Sequence, residues 1–434
     1  VSTDLDSIAL LRASFDAAVA AADPLKIVAA HLPEHPRGRV VVVGAGKAAA
    51  SMARAVELAW PHAPLEGLVI TRYAHGLPTE RIRVIEAGHP VPDESGERAA
   101  AQILELASTL GPEDLLLALV SGGGSSLLSL PVEGLSMADL KATTRELLRC
   151  GAPIEQMNVV RKHLSQIQGG RLAAAAAARG ARVCALIVSD VTGDKPEDIA
   201  SGPCAPDPST FADAIVTLDR FGCVVPPSVR GRLERGWRGE IAETPKPGDA
   251  IFARVQNAVI ATAHRSLEAA AQVFRQTGIT PVILGDTVTG EAREVAKVYA
   301  ALVREIRAFG APFEPPVALI SGGECTVTIP PGVSGRGGRC TEFLLSLAVE
   351  LEGLPDVYAL AADTDGIDGS ESNAGAWLAP DTIAAARARG LAPQVSLDAH
   401  DACGFFEAAG ALITTGPTRT NVNDYRVILL ATNR

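Results

Sequence analysis

The stretch LLLALVSGGGSS, residues Leu115 to Ser126, changes character at one bond. Six apolar residues run without alternation, as in a strand buried on both faces of a parallel sheet, and then small residues take over. The same change occurs at Val40–Val43 before Gly44, Ala45, Gly46 and Lys47. It occurs again at Val317–Ile320 before Ser321, Gly322, Gly323 and Glu324. A strand that empties into small residues lets a ligand press against backbone N–H groups. Phosphate gains most, because those amides carry fixed partial positive charge. Three such loops point to chemistry on phosphorylated molecules.

Working outward, strand and helix patterns alternate through most of the chain. Helical stripes are expected at Ser7–Ala22, Ala48–Leu58, Glu94–Thr109, Ile154–Ser165 and Arg171–Arg179, with a capping box at Ser136 and Asp139. Strands are expected at Leu68–Thr71, Arg81–Ile85 and Val183–Val188. This is the pattern of an α/β fold with a Rossmann-like parallel sheet covered on both faces. A Pro- and Gly-rich charged segment between Gly236 and Asp249 marks the expected domain boundary, giving domains at residues 1–240 and 250–434. After it the alternation resumes, with strands at Val259, Pro281–Leu284, Val317–Ile320, Val357–Ala361, Leu412–Thr414 and Val427–Leu430. Cys325–Ile329 reads as a hairpin-like antiparallel strand, so the second domain is expected to be a three-layer unit on a mixed sheet.

Composition bounds the answer. At 434 residues two domains are the prior, and 47% hydrophobic with 21% charged residues is an ordinary globular profile. A formal net charge of −11 argues against nucleic acid or a membrane surface as a general partner, but not against anionic substrates in a local cationic pocket. No apolar run reaches 18 residues, and the opening Val1-Ser2-Thr3-Asp4 lacks the features of a secretory leader. Seven scattered cysteines with no C-x-x-C pair disfavour zinc and disulfide frameworks, and a reducing cytoplasm is the expected setting.

Several loops carry candidate chemistry. Lys47 ends a glycine loop where a helix begins; a helix N-terminus disfavours a cation, so a lysine there usually has an anionic client. The loop is neither a Walker A sequence nor a G-x-G-x-x-G fingerprint. Asn158, Arg161, Lys162 and His163 spread over most of a helical turn. One or two of them can bind a carboxylate or phosphate, and the rest make a solvated face. Asp190 and Asp194 follow an apolar strand, where open α/β sheets bind ligands; turn chemistry explains Asp and Gly there equally well. Gly337, Gly338 and Arg339 form a basic loop opening a helix, suited to a phosphoryl group, with a plain surface loop as the alternative. Asp363, Asp365 and Asp368 crowd six residues after a strand. No Glu completes a calcium loop, and Mg²⁺ held together with nucleotide phosphates fits better. The polar loop Gly416–Asp424 has no role that spacing alone assigns. His75, His89, His264 and His400 stand isolated, and without a G-x-S-x-G elbow Ser121 and Ser125 are poor nucleophiles.

Taken together, these loops resemble the glycerate 2-kinase family, two-domain kinases whose C-terminal part is called the MOFRL domain. The resemblance rests on GAGKAAASMA at Gly44, VSGGGSSLL at Val120, NVVRKHLSQIQGGRLA at Asn158 and VSDVTGDKPEDIASGP at Val188. It continues with ISGGECTVTI at Ile320, GRGGRCTEFLLSLA at Gly335, DTDGIDG at Asp363 and TGPTRTNVND at Thr415. It implies transfer of a phosphoryl group from ATP, with Mg²⁺, to the 2-hydroxyl of D-glycerate, in a cleft between the domains. It leaves the oligomeric state open, a homodimer being one option. Lys47 and Arg339 stand at the family's important basic positions, and Asp190 in a site-lining motif is the expected base. The resemblance makes Gly44, Gly46, Ser121, Gly122, Gly123, Gly124, Ser125, Asn158, Arg161, Lys162, Ser321, Gly322, Gly323, Glu324, Gly337 and Gly338 expected substrate or phosphate contacts. Asp194, Asp363 and Asp365 are expected at the metal. Cys340 and Thr341 depart from the family's Asn-Gln after the arginine. Relatives are often labelled hydroxypyruvate reductases, so an NAD(P)H-dependent reductase is the second reading and a non-catalytic binder of phosphorylated metabolites the third.

Overall fold

The computed structural model describes residues 2–432. The chain divides into two units. One runs from Pro24 to Ile260; the other joins the N-terminal residues through Asp23 to the chain from Ala261 onward.

In the first unit, β1 (Val40–Ala45), β2 (Leu65–Arg72), β3 (Arg83–Ala87), β4 (Leu115–Ser121), β5 (Arg182–Val188) and β6 (Val255–Ala261) form an all-parallel sheet. Its order is β3-β2-β1-β4-β5-β6. The unbroken apolar runs of β1 and β4 are buried along their whole length, as a sheet covered on both faces requires. The strand order reverses between β1 and β4, the place where such sheets hold ligands at their carboxyl ends. Both glycine-rich loops of this unit leave from that point.

Close approach explains the glycines there. Gly44 pairs with Leu119, and a Cβ on Gly44 would lie 2.0 Å from the Leu119 carbonyl oxygen. Gly46 has φ +138°, and its Cβ would lie 2.1 Å from Ser121 Oγ.

In the second unit, β7 (Thr280–Gly285), β8 (Val317–Ser321), β9 (Val357–Asp363), β10 (Gly375–Leu378), β11 (Leu412–Ile413) and β12 (Asp424–Leu430) form a mixed sheet. The order is β11-β10-β9-β12-β8-β7. β7 and β8 are parallel and the other neighbours antiparallel. The helix Arg339–Leu351 packs Phe343, Leu344 and Leu347 into the core on one face.

Three sequence expectations need correction. The N-terminal helix, Ser2–Ala21, belongs with the second unit: Leu11, Phe15 and Ala18 pack with Leu267, Phe274 and Tyr425, and the Tyr425 hydroxyl donates to Ser14 Oγ at 2.8 Å. The Pro-rich segment does not end the first unit, because the chain beyond it returns as β6 to the edge of the first sheet and crosses over only at Ala261. Cys325–Ile329 is not a strand. Only Thr326 bridges, to Glu291, whose carboxylate also accepts from the Thr326 and Thr328 hydroxyls and the Thr328 amide. Among the described residues no helix is long and apolar enough to cross a membrane.

The steric argument at Gly46 predicts that Gly46→Ala destabilises the protein by at least about 2 kcal/mol, since the new methyl must displace β4 backbone and the φ is unfavourable for alanine. Urea unfolding checks this; a loss under about 0.5 kcal/mol would contradict the fitted packing of β1 on β4.

Candidate active site

The first glycine loop is not an open cradle. The Gly46 amide donates to Ile70 O at 3.1 Å, Lys47 N–H to Gly122 O at 2.8 Å, and Ala48 N–H to Ser121 Oγ at 3.0 Å. Gly44 and Gly46 therefore serve the fit of β1 to β4, and Ser121 is spent holding the loop. The amides that stay open lie in the second loop. Gly123, at φ +80°, caps the short helix Gly124–Leu127, so the N–H groups of Gly123, Gly124 and Ser125 have no intrahelical acceptor. A Cβ on Gly123 would meet His89 Nε2 at 2.9 Å and Lys47 Cγ at 3.5 Å. The turn is thus flanked by a lysine and by a histidine that sequence reasoning left isolated. The signal for His89 is purely spatial: β3 delivers it to the same sheet end.

A hydrogen-bonded chain ties this loop to a helix. Ser125 Oγ lies 2.9 Å from Ser201 Oγ, Ser201 donates to Asn158 Oδ1 at 3.1 Å, and Asn158 Nδ2 donates to Asp198 O at 3.4 Å. With Ser201 donating to Asn158, Ser125 is the donor to Ser201. Ala200, Ser201 and Gly202 are successively left-handed, with φ +51°, +57° and +58°. Such strain, on the order of 1–3 kcal/mol for each non-glycine residue, persists only where the surroundings impose it.

Asn158 sits on the helix Ile154–His163. Arg161, one turn on, shares its face. Burial pushes the Arg161 guanidinium down from its usual range, and no carboxylate offsets that among the described residues. A partly buried cation without a carboxylate beside it is costly, and an anionic ligand relieves the cost. Lys162 points elsewhere. It is buried and lies 3.5 Å from Asp207 Oδ1, which is itself buried and held by Ser209 and Thr244. Its charge is committed inside the protein, so the expectation of a ligand contact gives way to a structural role. His163 is likewise occupied, between Val159 O and Glu243. Asp190 stands two residues beyond β5, half-buried, at the carboxyl edge of the sheet, and Asp194 lies further along the same loop in a left-handed turn.

The second unit gathers a different cluster. Arg339 opens the helix Arg339–Leu351. Its Nε donates to Asp424 Oδ1 at 2.7 Å, its Nη2 to Asp363 Oδ2 at 2.7 Å, and its Nη1 lies 3.0 Å from Glu324. Burial opposes the charge, and the three carboxylates more than restore it, so the guanidinium is pushed up. Asp424 is shared: its Oδ2 takes Arg426 Nη2 at 2.5 Å. Arg426 is fully buried, donates to Gly322 O at 2.8 Å and stacks over Phe343 at 5.4 Å. Asp424 and Arg426 had no sequence signal beyond a polar loop before a strand. The second Ser-Gly-Gly is drawn into this scaffold. The Gly322 amide donates to Gly285 O, Gly323 O accepts from Asp424 N–H, and Gly323, at φ +96°, packs on Val288 backbone. Glu324 remains half-exposed. A cavity of about 320 Å³ beside Arg339 is lined by Val327, Ile329, Gly337, Gly338 and His400, among others.

Asp368 caps the same helix, accepting from the Cys340 and Thr341 amides at 2.9 Å and from the Thr341 hydroxyl at 2.7 Å. Thr341 is therefore a cap and Cys340 a core residue, so the two positions that depart from the family pattern are structural here.

The carboxylates expected to hold Mg²⁺ do not form a cage. Asp363 gives Oδ2 to Arg339 and Oδ1 to the Asp365 amide, and Asp365 gives Oδ1 to the Ile367 amide. Among the described residues no group of three or more potential ligands converges. Asp363 is a partner of arginine before it is anything else.

Comparison with known proteins fits this architecture. The MOFRL family model matches residues 317–424, and a model described as a domain of unknown function, DUF4147, matches 10–234. Glycerate 2-kinase of Pyrococcus horikoshii is 41% identical, over 92% of this chain and 89% of its own. D-glycerate 2-kinase of Thermotoga maritima is 38% identical, over 94% of both. The chain belongs to the glycerate kinase family. A crystal structure of Thermotoga maritima glycerate kinase has a TM-score of 0.85 at 37% identity, covering 99% of this chain and 100% of that one. A family relative from Agrobacterium vitis, 49% identical over 98% of this chain and 95% of its own, carries the provisional name hydroxypyruvate reductase.

Two predictions follow from the charges. Burial pushes the Asp368 carboxyl up to about 6, against an unfolded value near 3.8. The folded state therefore holds the extra proton: this contribution is fully present below about pH 4 and is lost as pH rises through about 6, on the order of 2–3 kcal/mol. Urea midpoints across pH 4–7 should fall more steeply for wild type than for Asp368→Asn; parallel curves would refute the assignment. For the other pair, Lys162→Met strands Asp207 and should cost on the order of 3–5 kcal/mol, while leaving KM for any acid substrate within about twofold in the folded fraction.

Proposed function

We propose that this chain is an ATP-dependent kinase that transfers the γ-phosphoryl group to the 2-hydroxyl of D-glycerate, giving 2-phosphoglycerate and ADP. The observation that carries the reading is the uncompensated Arg161, one helical turn from the Asn158 that is tied through Ser201 to the open-amide turn of Gly123–Ser125. That arrangement suits a small anion carrying a hydroxyl. The end-to-end similarity to proteins named glycerate 2-kinase supports it.

In this reading Arg161 takes the glycerate carboxylate, and Asn158 and Ser125 orient the hydroxyl groups. Asp190 holds or accepts the 2-hydroxyl proton. Lys47 and the amides of Gly123, Gly124 and Ser125 balance charge on the moving phosphoryl group, and Arg339 is assigned to bind phosphate. Such catalysis is mainly positioning and electrostatics. Arg339 needs a free N–H face for this role. Asp424 and Asp363 fix its Nε and Nη2, while Glu324 is half-exposed, so the Glu324 pairing is the one that a phosphate oxygen displaces most readily. Mg²⁺ belongs to this reading as a companion of the nucleotide phosphates, for which one or two protein carboxylates suffice.

The reductase reading meets two obstacles. The Lys47 and Ala48 amides that a dinucleotide pyrophosphate would need are already donated to Gly122 and Ser121. Glu57, an acidic residue placed after the glycine loop, accepts the amides of Glu80, Arg81 and Ile82 and is not available to a ribose.

A coupled ADP-release assay across small hydroxy acids tests the proposal, with NADH oxidation on hydroxypyruvate followed in parallel. D-Glycerate should be the preferred acceptor. Arg161→Met should raise its KM at least about tenfold, and Lys47→Met or Arg339→Ala should lower kcat on the order of 10³-fold. Binding of glycerate without ADP would leave a non-catalytic binder, NADH turnover would leave the reductase, and full turnover by Arg339→Ala would remove that residue from the mechanism.

A further inference from the structure

Five of the seven cysteines, Cys184, Cys204, Cys325, Cys340 and Cys403, are buried. The other two, Cys150 and Cys223, are only partly buried, and the fold brings them together from distant parts of the sequence. Cys150 caps the C-terminus of the helix Met137–Arg149. Cys223 follows the helix Phe211–Arg220, in a turn fixed by its own N–H donating to Leu218 O at 2.9 Å. Glu146 pins the two segments to each other. Its Oε1 accepts the Val224 amide at 3.0 Å and the Cys150 thiol at 3.6 Å. Cys150 Sγ also lies 4.0 Å from Gly222 O, the residue before Cys223, so the two cysteines are neighbours in space. Arg149 Nη2, held by Glu146, lies 3.6 Å from Cys150 Sγ.

We propose that Cys150 and Cys223 form a thiol–disulfide modification site, a pair that closes reversibly into an intramolecular bond when a small-molecule disulfide is present. Neither residue lies among the groups assigned to phosphoryl transfer, so the proposal stands apart from that reading.

The chemistry follows from the surroundings. Burial and the neighbouring Cys150 push the Cys223 thiol up to about 12, so Cys223 is protonated at neutral pH. Cys150, whose sulfur lies 3.6 Å from both the Arg149 guanidinium and the Glu146 carboxylate, is assigned the attack. Its thiolate displaces one thiolate from the small disulfide and forms a mixed disulfide. The Cys223 thiol gives its proton to the released thiolate. Its sulfur then attacks Cys150 Sγ and expels the second small thiol. The protein loses two hydrogens, and the small disulfide is reduced to two thiols. Because Glu146 and the Gly222 carbonyl already hold Cys150 against the Cys223 turn, the second step is unimolecular and outruns accumulation of the mixed disulfide. The bond encloses residues 150–223, which restricts the unfolded chain and raises stability when the native geometry accepts it.

The test incubates the native protein with oxidised glutathione, then unfolds it and alkylates it without reduction. Peptide mapping should find a Cys150–Cys223 cross-link, an intact mass lower by two hydrogens, five alkylated cysteines and a higher thermal midpoint. Dithiothreitol should reverse all four changes. Cys223→Ser should instead stop at a stable glutathione adduct on Cys150, whereas Cys150→Ser should react much more slowly at Cys223. Retention of seven free thiols in the native protein, a persistent glutathione adduct in wild type, or a cross-link between other cysteines would each overturn the proposal.

Discussion

Gly46 has no room for a side chain, and the arrangement of the first unit depends on that fact. Because β1 and β4 come within backbone contact at the point where the strand order reverses, Ser121 reaches across to cap the start of the next helix. Lys47 is left over the turn at Gly123. The close packing consumes the amides of the first loop and delivers those of the second to the sheet edge. The glycines of the two loops therefore do different things. Gly44 and Gly46 permit contact between strands, whereas Gly123 permits the left-handed turn that opens a short helix.

The second unit is organised by a carboxylate. Asp424 is shared between Arg339, at the surface end of a helix, and Arg426, fully buried beneath it. Burial would otherwise penalise both cations, and the acids set around them make the arrangement affordable in free-energy terms. One consequence is directional. Arg339 is fixed by the buried carboxylates of Asp363 and Asp424 on one side and paired with the half-exposed Glu324 on the other.

Much of this architecture was legible in the sequence. Unbroken apolar runs marked β1, β4 and β8, and Ser136 with Asp139 marked a capping box that the structure contains. The loops at strand ends gave Lys47, Asp190 and Arg339 as positions of interest. What stayed hidden were relationships between distant residues. His89 beside Lys47, Asp424 between two arginines, and Lys162 against Asp207 rather than a ligand all depend on side chains meeting across elements. The N-terminal helix was misassigned because an apolar stripe names a buried face without naming its partner. The extra strand at Cys325–Ile329 was expected because alternation is also produced when threonines turn to one acceptor, here Glu291.

Phosphorus NMR of a complete reaction with ATP, Mg²⁺ and D-glycerate tests phosphoryl transfer to a small hydroxy acid most directly. A monoester resonance that coincides with that of added 2-phosphoglycerate, rising as the γ-phosphate of ATP falls, is the predicted result. Unchanged ATP, or inorganic phosphate as the sole new species, would contradict it.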